Sequence, residues 1–165
     1  MPDYGADEFK QIMTAKVIEI CTNVFESLWK LRSEIPFRIR FMIRLILDKS
    51  RENLSAPIEE KEAPLIADFL AGSWLSNAFR WPECLGMEPC FKEEALTLGH
   101  LLMACRLVLE TTLTCQELPY TRAGHRTYNI TELNGFIRNK RVTVLNLYND
   151  IFKPVSSNLI KEISF

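Results

Sequence analysis

Few residues in this chain have the types and spacing that chemistry requires. The polar side chains set inside apolar stretches are Asp68, Ser73, Ser76, Asn77 and His100. A carboxylate enclosed like Asp68 must find a partner, because an isolated buried charge is too costly, and Arg40 or Arg44 could supply one. A helix–helix polar contact is the simpler use of such a residue than general-base catalysis. His100 reads as an ordinary histidine of a core helix rather than a ligand. The chain has no glycine-rich phosphate loop, no Gly-x-Ser-x-Gly turn and no histidine–carboxylate metal pattern. Five cysteines (Cys21, Cys84, Cys90, Cys105, Cys115) form no Cys-x-x-Cys pair and accompany only two histidines. Reduced thiols are expected, rather than a zinc site or a disulfide framework. The residues call for no catalytic group, cofactor or metal.

The elements that would position these residues are helical throughout. The stretch Ala63–Phe79 carries one charge, Asp68, in seventeen residues, so it predicts a central helix enclosed by others. Pro64 suits its first turn, and Pro82 stops what precedes it. The run is short and polar for a membrane span. Before it, Asp7 to about Arg32 places Phe9, Met13, Val17, Ile20, Val24 and Leu28 on one stripe. Ser33-Glu34-Ile35-Pro36 restarts a helix that runs to about Leu54, with Phe37, Phe41, Leu45 and Asp48 along one line and Ile39, Met42, Ile43, Ile46 and Leu47 filling much of the rest. A turn at Ser55-Ala56-Pro57 leads into a short acidic helix. Phe91 to about Thr114 is the most regular helix, with Leu102, Cys105, Leu109 and Thr112 on its stripe. A polar loop, Cys115–Tyr128, clusters Arg122, His125 and Arg126. Asn129-Ile130-Thr131-Glu132 then resembles a capping box. The helix it opens turns Leu133, Ile137, Val144, Tyr148 and Ile151 inward and ends before Pro154. One or two further helical turns are expected over Ser156–Phe165. With no strand-like alternation, the fold class expected is all-α, a multi-helix bundle in a single domain over 1–165, with 1–6 outside the ordered fold.

A formal net charge of −1 gives no pull toward nucleic acid or an anionic membrane. From Lys30 to Arg51 there are seven basic residues against two acidic ones. Arg40, Arg44 and Arg51 share a helix face by spacing. Glu52, Glu59, Glu60 and Glu62 then reverse the sign, so mutual neutralisation of adjacent surfaces is the simplest account, with a basic groove for an acidic partner as the alternative. The opening MPDYGADEF is acidic and lacks a hydrophobic segment, which fits a cytoplasmic protein.

The order of segments SEIPFRIRFMIRLIL, IADFLAGSWLSNAFRWPECLGM and EEALTLGHLLMACRLVLE resembles the second half of the Ras GTPase-activating domain, especially the IQGAP type. Phe69, Leu70, Leu75, Ala78, Pro82 and Gly86 stand at matching places, and Leu98-Gly99 resembles the family's leucine-glycine. The likeness covers roughly Ile35 to Ile151. It implies a helical bundle whose central helix and proline elbow border a groove for a small GTPase. The matching residues here are Asp68, Ser73, Asn77, Arg80 and Trp81, with Pro82 holding Trp81 out of the helix.

The departures bear on activity. Ser73 stands where the family has its signature arginine, Asn77 where it has a proline, and no segment resembles the arginine-finger loop. That finger stabilises transition-state charge and is worth orders of magnitude in rate. The resemblance therefore implies a non-catalytic module that binds a small GTPase of the Ras or Rho type, or another regulatory protein. The alternative is a structural scaffold that docks into a larger assembly with no GTPase involved. Leu102 and Phe69 are expected fully buried in either case.

Overall fold

The computed structural model describes residues 5–70, 92–120 and 127–154, with the backbone alone for 92–98. Among the described residues, five α-helices hold the fold: α1 (Ala6–Leu31), α2 (Phe37–Lys49), α3 (Ala63–Leu70), α4 (Lys92–Leu113) and α5 (Ile130–Ile151). Short 3-10 turns at Arg32–Glu34 and Glu60–Glu62 join them. No strand occurs among the described residues, so the chain is an all-α, multi-helix bundle.

The centre of the bundle is α1, α4 and α5, each packed on the other two, with α3 against α4. Val17, Cys21 and Phe25 of α1 meet Cys105, Val108 and Leu109 of α4 and Leu133, Ile137 and Val144 of α5. These positions recur at three- and four-residue steps, which is what places one stripe of each helix inside. Ala6 already belongs to α1, and Asp7 and Glu8 in the first turn with Lys30 in the last match the helix dipole.

The cap of α5 is built as its sequence requires. Asn129 Oδ1 accepts a hydrogen bond from the Glu132 amide at 3.2 Å. The Asn129 amide donates to Thr14 Oγ1 on α1 at 2.9 Å, so one residue both starts α5 and ties it to α1. At the far end, Tyr148 is buried and donates its hydroxyl to the Leu113 carbonyl of α4 at 2.7 Å.

The α4 helix ends at a left-handed residue, Cys115 (φ 56°). The Gln116 amide donates to Thr111 O at 3.1 Å and the Cys115 amide to Thr112 O at 3.0 Å, closing a Schellman turn in which glycine is the usual occupant. The turn sends Leu118 back onto α5, where Asn134 takes its amide at 2.7 Å and donates to its carbonyl at 3.1 Å.

Two expectations fail here. Phe69 is 40% exposed on α3 and Leu102 is half-buried, so neither is fully buried. The described part of the central helix turns Ala63, Ile66 and Ala67 inward and leaves Asp68 and Phe69 outside. Its described part is sided rather than enclosed all round, with α4 and the Glu60–Glu62 turn packed against it. The α2 helix also ends at Lys49, short of Leu54, because Arg51 and Asn53 organise a turn in its place. Arg51 donates to the Pro57 carbonyl at 2.7 Å, and Asn53 Oδ1 accepts from the Ser55 amide at 3.0 Å.

Candidate functional site

The residues that the sequence put forward as a partner surface are only partly described. Asp68 is exposed at the end of α3, beside Phe69. Ser73, Asn77, Arg80 and Trp81 lie outside the described residues, as do Arg122, His125, Arg126 and the tail from Val155. Asp68 does not rest on Arg40 or Arg44 in a buried pair, because it faces outward.

Arg40, Arg44 and Arg51 do not make an open basic surface. Arg44 is 3% exposed, and its guanidinium donates to the carbonyls of Phe152, at 3.0 Å, and Leu54. It also pairs with Asp48 one turn on, at 2.8 Å. Arg51 is turned onto Glu62, with Nη2 donating to Oε2 at 3.0 Å. Arg40 is half-buried. The physical reason is that the turn after α2, at Leu54, and the end of α5, at Phe152, leave carbonyls that need donors, and a five-donor guanidinium can serve both at once. The neutralising account of this charge reversal thus holds for Arg51 with Glu62. Burial pushes the Glu62 carboxyl up, but the Glu59 amide and the Arg51 guanidinium outweigh it and hold Glu62 below its usual value.

With Arg44 inward, the other side of α2 faces solvent. Ile43, Arg44 and Leu47 are its buried residues. Arg38, Met42, Leu45 and Lys49, at steps of four, three and four, form an exposed line. Met42 is 56% exposed and Leu45 45%. Phe37 is exposed beside this line, and its ring stacks on Phe41 at 5.8 Å between centroids. The result is an apolar strip with a cation at each end. The sequence sets Phe37, Phe41 and Leu45 along one line, but α2 is apolar on both sides and cannot signal which faces the core. The signal available was the Arg44–Asp48 spacing, which pairs one turn apart and can be buried as a unit.

A second apolar feature is a groove of about 560 Å³ between α4, the segment after it and the start of α5. His100, Met103 and Leu107 form its α4 side, and Leu118, Pro119, Tyr128 and Ile130 face them. Arg106 and Glu110 pair at its rim at 2.8 Å. The Tyr128 hydroxyl is buried without a hydrogen-bond partner among the described residues, and burial, with a smaller contribution from nearby Cys105, raises its pKa. Among the described residues no three histidine, cysteine or acidic side chains are grouped to hold a metal ion. Nor is any described helix long and apolar enough to cross a membrane.

Comparison with known proteins adds no relative: no family model, curated protein or solved structure matches the chain.

Proposed function

We propose that this chain is a non-catalytic helical module that binds another protein. The observation that carries the reading is the outward strip of α2, where Met42 and Leu45 stand exposed between Arg38 and Lys49. Exposed apolar strips with charged borders are the composition of protein interfaces, in which a few apolar and aromatic anchors supply most of the affinity. The strip falls within the region that resembles the Ras GTPase-activating domain, so a small GTPase of the Ras or Rho type is the partner proposed. Asp68 and Phe69, exposed together on α3, support that choice, since a groove beside the central helix requires this helix to be uncovered. Asp68, Ser73, Asn77, Arg80 and Trp81 are the contacts that the resemblance proposes within that groove. No acceleration of hydrolysis is proposed, because Ser73 replaces the supporting arginine and no finger loop is recognisable in the sequence.

A docking role in a larger assembly is the second reading. The α4–α5 groove favours it, as an apolar surface away from the α2 strip. The two readings separate in one experiment. The chain is immobilised and offered Ras- and Rho-type GTPases loaded with a GTP analogue or GDP, and each GTPase is assayed in single turnover with the chain added. Retention of at least one GTPase without faster hydrolysis is the expected result. Retention of none rejects the GTPase reading, and stimulation of about a hundredfold or more rejects the non-catalytic one.

A further inference from the structure

A cleft between α1 and α5 takes none of its lining from the α2 strip. It measures about 400 Å³, and Phe25 and Trp29 of α1 are its aromatic wall. The buried Phe25 ring meets Phe136 of α5 at 6.5 Å between centroids, so the two helices are joined at the cleft. Trp29 is 39% exposed yet held in place: the Arg32 guanidinium lies 4.5 Å from its ring, and Asp150 of α5 holds Arg32 at 2.7 Å. An exposed indole fixed in this way has already given up the freedom that binding would otherwise cost. Charge at the cleft is uneven. Lys30 of α1 and Lys140 of α5 both line it, and neither pairs with a carboxylate among the described residues. Lys140 instead stands 5.7 Å from the Phe136 ring. Asp150 is taken by Arg32 and Lys153, which leaves Glu26 as the lining carboxylate. The chain as a whole carries −1, so the surplus of cations belongs to this place and not to the composition.

We propose that the α1–α5 cleft binds an acidic peptide segment of a partner protein. The segment sets a large apolar side chain against Phe25 and Trp29 and its carboxylates on Lys30 and Lys140. The aromatic wall supplies most of the affinity, as anchors do at interfaces, and the two lysines choose the partner by sign and speed the encounter. Thr143 and Asn146, exposed on the α5 side, offer hydrogen bonds to the polar groups of the segment. A nucleic acid or an anionic bilayer needs a broad basic face, whereas two lysines are unpaired in this cleft. Because the lysines lie at the surface, binding weakens as salt rises.

The test selects a display library of short random peptides on the immobilised full chain. Enriched peptides are then labelled and titrated by fluorescence anisotropy against wild type and three variants. The expected result is enrichment of peptides that combine aspartate or glutamate with phenylalanine, tryptophan or leucine. Trp29→Ala, and separately Lys30→Glu with Lys140→Glu, should each weaken their binding at least about tenfold. Met42→Asp with Leu45→Asp should leave it unchanged, which separates this cleft from the α2 strip. No enrichment of acidic peptides overturns the proposal, as does binding indifferent to both cleft variants or lost only in the α2 variant. Retention of phosphatidylserine vesicles in place of peptides assigns the cleft to a lipid surface and equally overturns it. Should the double charge variant melt early, Lys30→Glu alone decides, since Lys30 is exposed.

Discussion

Helices α2 and α5 are built from similar apolar and basic residues, yet the bundle uses them in opposite ways. The α5 helix turns Leu133, Ile137, Val144, Leu147, Tyr148 and Ile151 into the core, and Asn134 and Asn149 beside them bond the backbone of Leu118 and Ile58. The α2 helix buries only Ile43, Leu47 and the guanidinium of Arg44, and presents Met42 and Leu45 to solvent. One helix is held by apolar contact, and the other is held in large part by hydrogen bonds to two carbonyls. A bundle that anchors a helix through a polar residue can leave that helix's apolar face outside, where another molecule can cover it. The contrast separates residues that fold the chain from residues left exposed for the partner proposed above.

The largest effect should come from α5. Ile137 is completely buried at the meeting of three helices, so Ile137→Ala should destabilise by about 2–5 kcal/mol, read from urea melts. A change near zero would mean that α5 is not the core helix, and the contrast with α2 would collapse.

Next comes the polar anchor. Arg44→Met keeps the bulk but strips donors from the Phe152 and Leu54 carbonyls and leaves Asp48 unpaired. A loss of about 2–3 kcal/mol is expected, less than for a fully enclosed ion pair because Asp48 is partly in water. A neutral or stabilising result would show that hydrophobic packing alone holds α2.

A smaller effect separates the turn after α2 by pH. The Glu62 carboxyl is held below its usual value of 4.5, so its contribution is present above about pH 4.5 and is lost as pH falls through the lower folded value. Glu62→Gln should therefore lower stability at neutral pH and flatten the acid loss below that point. Parallel acid titrations of the two proteins would mean that Arg51 does not hold this turn through Glu62.

The same contrast marks how far the sequence could be read. The α5 helix was legible because its apolar residues fall on one stripe and Asn129 announces its start. The helical class, the long α1 and the α4 stripe through Cys105, Leu109 and Thr112 were legible for the same reason. The inner face of α2 was not. Phe37, Phe41 and Leu45 on one side and Ile43 and Leu47 on the other make both faces plausible insides, and only the tertiary need for a donor at Leu54 and Phe152 chooses between them. The burial of Phe69 was misread because an apolar run states what could be covered, while the neighbouring helices decide what is. Of the five contacts that the resemblance implies, only the outward Asp68 falls within the described residues, and the α2 strip emerged only from the structure.

The central claim is that the outward strip of α2 binds a protein without helping to fold the chain. The direct measurement is a calorimetric titration of a Ras-type GTPase, loaded with a non-hydrolysable GTP analogue, into wild type and into the Met42→Asp, Leu45→Asp double variant. The account predicts that wild type binds and that the double variant loses about 2 kcal/mol or more of affinity, roughly thirtyfold. Its unfolding free energy should stay within about 0.5 kcal/mol of wild type for each exposed change. Equal affinities in the two proteins, or unfolding of the variant, would contradict it.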